Sequence, residues 1–195
     1  MNLIASMAAF ALAASISPGP VNIVALGSGA RYGFTASLPH VTGATIGFSL
    51  LLLLTGLGLH EMIVQWPQLT EAIRWAGAAF LLYMAWRLAM DSGELDAGPA
   101  TRRPSIAQGA AMQWLNPKAW LASVAGMGTY ASGGDAAAVW LFTGVYFVIC
   151  YLSIASWAWA GSFLQDYLQE SARVRFFNRV MATMIMLSVV YLIVA

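Results

Sequence analysis

Ala137 to Gly161 reads AAVWLFTGVYFVICYLSIASWAWAG, a run without a single charged residue. A helix needs about twenty mostly apolar residues to cross the hydrocarbon core of a bilayer, and this stretch is long enough. A second clear run lies at 38–59, centred on Leu50 to Leu54. Working outward between charges and turn residues gives four more candidate spans, at 3–26, 70–90, 106–129 and 176–194. The 70–90 pattern is the weakest, because Arg74 and Arg87 lie near its ends. Long arginine side chains can lie along the apolar surface and carry their charge to the headgroups.

The rest of the composition agrees. Of the 195 residues 60% are hydrophobic and only 9% charged, against about 25% charged in soluble domains. So few charges cannot cover a soluble fold of this size, and the excess apolar surface must face lipid. The formal net charge of +1 offers no basic stripe to neutralise phosphates, which excludes a nucleic-acid partner. One cysteine, Cys150, excludes an internal disulfide and a multi-cysteine metal site; it reads as a small packing residue. His40 and His60 fall near opposite ends of the second span, too far apart to share a metal, and read as interfacial residues. No cofactor or metal is expected. A membrane enzyme would need a nucleophile with its base, or metal ligands, and the sequence pairs no such groups. The first thirty residues carry no charge. A secretory signal normally opens with positive residues, and none precedes Arg31, so this segment reads as the first membrane helix.

Positive charge orients the spans. Arg31 follows span one, Arg87, Arg102 and Arg103 surround the connection after span three, and Arg173, Arg175 and Arg179 surround the connection after span five. Those connections share one side, which is therefore cytoplasmic. Glu61, Arg74 and Asp135 lie opposite, and both termini are expected outside the cytoplasm. Trp66 and Trp140 belong to the outer aromatic belt on this reading, and Trp86 to the inner one. Residues 92–105, polar and rich in turn formers, read as a cytoplasmic linker between a three-helix unit at 1–91 and a second at 106–195. Two units of three spans insert in opposite orientations, as in transporters built from inverted repeats. The expected fold is all-α, with six transmembrane helices as a three-plus-three inverted repeat.

Each unit carries a helix breaker inside its first span. Ser17-Pro18-Gly19-Pro20 lies in span one and Asn116-Pro117-Lys118-Ala119 in span four. Ser and Asn are good N-cap residues, proline suits the first position of a helix, and inside a continuous helix it costs backbone bonds. Helices one and four are therefore expected to break and restart. A restarted helix offers free N–H groups and the positive end of its dipole, and two such ends facing one cavity favour a carboxylate. Ordinary proline kinks are the plainer alternative. Lys118 lies too deep for easy escape, and a lysine at the helix centre costs about 2.5–3.5 kcal/mol on insertion scales. It reads as the partner of a substrate carboxylate, as a group that changes protonation during transport, or as a lysine bonded to helix-end carbonyls. Asn22, Gln113 and Asn116 are further polar residues at membrane depth, able to serve the cavity or to bond helix to helix. Gly29/Gly33 and Gly43/Gly47 are small-xxx-small pairs that read as helix packing.

These motifs resemble the paired signatures of the lysine exporter family, which includes the homoserine/threonine efflux proteins (the LysE/RhtB translocators). The resemblance continues through Gly33, Gly43 and Gly47, through Gly77 to Arg87 with its Tyr83…Trp86-Arg87 ending, and through Phe177-Asn178-Arg179. It implies a six-helix inner-membrane exporter, often dimeric, that moves amino acids or related metabolites outward by secondary active transport, driven by protons or the membrane potential. The signature positions fall on Ser17, Pro18, Gly19, Pro20, Asn116, Pro117 and Lys118. After Gly47 the chain has Phe48, where relatives handling basic amino acids can carry an acid, so the resemblance implies a neutral amino acid as substrate. A passive channel or a structural membrane subunit is the alternative reading.

Overall fold

The computed structural model describes residues 3–59, 105–131, 135–164 and 167–194, with scattered positions from 68 to 92. About half of span three, the central linker between Ser92 and Ser105, His60, Glu61, Trp66, Arg74, Gly77, Arg102 and Arg103 lie outside the described residues. Among the described residues every regular element is helical: α1 (Leu3–Ile16), α2 (Pro20–Tyr32), α3 (Phe34–Leu54), α4 (Ile106–Trp114), α5 (Pro117–Tyr130), α6 (Ala136–Ser162) and α7 (Ser171–Val194). A π-helical turn, Thr55–Leu59, extends α3, and a 3-10 turn, Tyr167–Gln169, precedes α7.

Among the described residues two helices are long and apolar enough to cross a membrane, Phe34–Gly58 and Ala136–Ser162. The pair α1 and α2 meets the same test together, bent by 64° at its break. Large apolar side chains lie on the outside of these helices: Leu12 is 49% exposed, Leu50 49% and Leu152 60%. The interior instead holds Asn22, His40, Thr45, Gln113 and Asn116. Apolar surface outward and polar groups inward is the arrangement expected when lipid is the solvent.

The corner between α2 and α3 is a single residue. Gly33 has φ 81° and ends one helix while starting the next; a side chain there would be strained. Span two therefore begins at Phe34, a turn before the expected residue 38, and carries Pro39 inside its first turns. This shift also moves His40 from the interface into the interior. Its side chain is fully buried, with Nε2 3.4 Å from the Val21 carbonyl oxygen and Nδ1 without a hydrogen-bond partner.

Glycine sets the distances between the main helix pairs. Along α2 and α6, a Cβ on Gly29 would strike the Ala158 carbonyl, and one on Gly161 would strike the Leu26 carbonyl. Along α3 and α4, a Cβ on Gly43 would meet Ile106, one on Gly47 would meet Ala110, and one on Gly109 would meet the His40 carbonyl. Of the expected packing glycines, Gly29, Gly43 and Gly47 thus touch a neighbouring backbone, whereas Gly33 forms the corner itself. The seams press backbone on backbone, the close approach that small residues allow between membrane helices. Among the described residues α5 packs more lightly on its neighbours than these pairs do on each other.

Substituting Gly43→Ala places a methyl against backbone that cannot rotate away. Overpacking typically costs about 1–3 kcal/mol, so the detergent-solubilised variant should unfold at a lower temperature than the parent. Gly27→Ala, with nothing within 4 Å of the added carbon, should leave the melting temperature unchanged or slightly raised.

Candidate functional site

The two breaks are the starting point. Pro18 and Pro20 carry no N–H, so the end of α1 loses the hydrogen bonds that a continuing helix would have given its carbonyls. Buried away from water, each such group costs several kcal/mol unless it finds a donor. Here five successive carbonyls, Ala14 to Pro18, all find side chains. The Ser17 hydroxyl donates to the Ala14 oxygen at 3.1 Å. The Asn22 amide donates to Ser15 at 2.7 Å and to Ser17 at 3.0 Å. The Trp157 indole, from α6, donates to Ile16 at 3.0 Å. Lys118 Nζ, from α5, donates to the Ser17 oxygen at 3.0 Å and to Pro18 at 3.3 Å, and also to Ser17 Oγ at 2.7 Å. A cation at a helix C-terminus is further stabilised by the helix dipole.

The restart lies two residues later than the Ser17-Pro18 pattern predicts. Gly19, with φ −168° and ψ 170°, is the N-cap of α2, and Pro20 is its first residue. Ser17 does not cap α2, because its hydroxyl turns back to repair α1. The second break follows its pattern directly. Asn116 caps α5, its side-chain oxygen accepting from the Lys118 backbone N–H at 3.2 Å, and Pro117 is the first helical residue. The Trp120 indole donates to the Trp114 carbonyl at 2.8 Å. The second break thus corresponds to Gly19-Pro20, and in both an indole N–H satisfies a carbonyl at the end of the preceding helix.

Both breaks open on one cavity of about 40 Å³. From the first come Ser15, Gly19 and Asn22, and from the second Gln113, Asn116 and Lys118. Phe48 of α3 and Tyr146, Cys150 and Ile154 of α6 complete much of the wall. The site residues named from sequence in the two motifs therefore meet. Pro20 and Pro117 contribute by starting their helices, and the Pro18 carbonyl holds Lys118. Ser15 is buried in this wall, and its hydroxyl faces Tyr146 and Cys150 without a hydrogen bond of standard geometry among the described residues. No Asp or Glu is among the lining residues.

Aromatic rings close the cavity on one side. Phe48 stacks on Tyr146 with centroids 4.5 Å apart, Tyr146 meets Phe142 at 5.7 Å, and Phe142 meets Tyr130 at 5.0 Å. Tyr130 in turn donates to the Ser6 carbonyl at 3.0 Å, joining α5 to α1. A second tie to α5 is the buried Ser123 hydroxyl, which donates to Thr55 at 2.9 Å.

Sequence reading missed Ser15, Tyr146 and Trp157, and took Cys150 for packing alone. Tyr146, Cys150 and Ile154 recur every four residues and so share one face of α6. In a run that is apolar on all sides, that face has no contrast to mark it.

The model of the LysE type translocator family matches residues 12–195. A cysteine/O-acetylserine efflux protein of Escherichia coli (strain UTI89 / UPEC) is 28% identical over 175 residues, which cover 88% of each chain. Its counterpart in Escherichia coli (strain K12) is 27% identical over the same share. No solved structure matches. The chain belongs to the LysE type translocators and is a membrane transport protein, not an enzyme.

Proposed function

We propose that this protein is a secondary active exporter of small neutral amino acids across the bacterial inner membrane. The observation that carries the reading is the cavity where two helix restarts, one from each half, meet beside the Lys118 ammonium. The N-terminal end of α2 at Gly19-Pro20 and that of α5 at Asn116-Pro117 offer positive dipole ends to a carboxylate, and Lys118 supplies the formal charge. Ser17, Pro18, Asn22 and Gln113 complete the substrate site. Neutral side chains fit a wall with no acidic residue and with Phe48 and Tyr146 opposite. Cysteine and O-acetylserine, named for the relatives, are the first substrates to test.

A cavity of about 40 Å³ holds roughly three waters, whereas small-molecule pockets run from about 300 Å³ upward. The cavity is therefore too small for an amino acid as it stands, and substrate enters when helices part. The lightly packed α5 is the element proposed to move, against the glycine seams that hold α2 to α6 and α4 to α3. A small, side-chain-lined cavity favours a carrier over the passive channel or structural subunit. The three-plus-three inverted repeat is proposed from the matching broken pairs, α1/α2 and α4/α5, each followed by a long apolar helix, α3 and α6. Protons or the membrane potential drive export, and two copies associate as a homodimer.

In proteoliposomes, Lys118→Ala should lower amino-acid flux at least tenfold with normal insertion, and Asn116→Ala should lower it several-fold by weakening the α5 cap, worth about 1 kcal/mol. Unchanged flux in Lys118→Ala would remove that residue from the mechanism. Orientation is tested separately. Alkaline phosphatase fused after residue 195 should be active, and fused at residue 98 inactive; the reverse pattern would invert the topology.

A further inference from the structure

A primary ammonium has three N–H donors. Lys118 Nζ directs its hydrogen bonds at a single cluster: the Ser17 carbonyl, the Ser17 hydroxyl and the Pro18 carbonyl, at 3.0, 2.7 and 3.3 Å. These acceptors sit at the negative end of the α1 dipole and exist because Pro18 and Pro20 interrupt the helix. The cluster belongs to one half of the chain and the ammonium to the other. The end of α1 is therefore a built receptor for a group R–NH₃⁺, occupied by a side chain of the protein itself. Beside it in the same cavity wall lies the buried Ser15 hydroxyl, which makes no hydrogen bond of standard geometry among the described residues and faces only the weak partners Tyr146 and Cys150, so it can turn toward a bound group.

We infer that the C-terminal end of α1 is the subsite for the substrate's α-ammonium, and that Lys118 fills it when the cavity is empty. This rests on the export reading above and assigns the second charge of the substrate. On binding, the α-ammonium replaces Lys118 Nζ on Ser17 and Pro18, and the released Lys118 takes the substrate carboxylate. Each charge set free by one step is met by the other. A carboxylic acid without the amine draws Lys118 away and leaves the α1 carbonyls bare. An amine without the carboxylate drives Lys118 into a cavity that holds no acidic lining residue. Selectivity for zwitterions follows from this exchange, since a site that reads an N–H group strongly rejects analogues lacking it.

The test uses ethylammonium chloride as a free stand-in for the substrate ammonium, with tetramethylammonium chloride as a control of equal charge that has no N–H. In purified Lys118→Met the receptor is vacant. Ethylammonium should raise its melting temperature in a dose-dependent manner, as any ligand of the folded state does, while the parent protein and the control salt show no shift. Adding Ser17→Ala to Lys118→Met should reduce the shift. If Lys118→Met does not fold, ethylammonium present during purification should restore folded yield. An absent shift in folded Lys118→Met, an equal shift in the parent, or no rescue of an unfolded variant would each overturn the subsite. Export measured in the same variant separates the two claims. A tenfold loss of export without an ethylammonium effect rejects the subsite and leaves the export reading intact; retained export with an ethylammonium effect does the reverse for Lys118.

Discussion

A helix that stops inside a bilayer leaves carbonyl oxygens with no water to bond, and the organisation of this protein follows from how it answers that problem. Pro18 and Pro20 remove the donors that would have continued α1. The replacements come from four places: Ser17 locally, Asn22 from the restarted helix, Trp157 from α6 and Lys118 from α5. Two of these donors belong to the other half of the chain, so the break in one half is stabilised only when the halves are assembled. The penalty for leaving such groups bare is several kcal/mol each, large against the fraction of a kcal/mol typical of a polar contact between membrane helices.

The same answer places chemistry at the centre of the fold. Lys118 and Asn22, drawn inward to satisfy carbonyls, join Gln113, Asn116 and two helix N-termini around one small cavity. Around it the structure is uneven. The α2–α6 and α3–α4 seams bring backbone against backbone through Gly29, Gly161, Gly43 and Gly109, and such contacts do not compress. The α5 segment is held by lighter packing among the described residues and by polar ties from Ser123 to Thr55, from Tyr130 to Ser6 and from Lys118 to Ser17 and Pro18. Rigid seams beside a lightly held segment give a site that is firm on one side and able to part on the other.

Much of this was legible in the sequence, and the reasons are physical. The charge-free run through α6 and the leucines of α3 announce lipid-facing helices, because length and apolarity alone decide that question. Asn116-Pro117 gives its cap and first residue correctly, because both preferences act within one turn. Ser17-Pro18 misleads by two residues, because a second proline follows and the serine hydroxyl serves the helix behind it. His40 reads as interfacial only while its helix is thought to begin at 38; the Gly33 corner starts the helix earlier and draws the histidine inside. Trp157 was beyond reach, since its partner Ile16 lies 141 residues away, and Tyr146 because Phe48, the ring it packs on across the cavity, belongs to the other half of the chain. Of the readings of Lys118, the one the structure shows is the lysine bonded to helix-end carbonyls, and the proposed carboxylate role belongs to the substrate-bound state.

The central claim is that the cavity between the two breaks is where substrate binds. The sole cysteine of the chain, Cys150, lines that cavity and is only 3% exposed, which makes it a reporter needing no substitution. The most direct measurement is the rate at which a small methanethiosulfonate modifies Cys150 in proteoliposomes, with and without saturating cysteine-free amino-acid substrate such as O-acetylserine. The account predicts that substrate slows the modification and that modified protein no longer exports. Modification at an unchanged rate in the presence of a transported substrate, with export intact afterwards, would place the substrate elsewhere and contradict it.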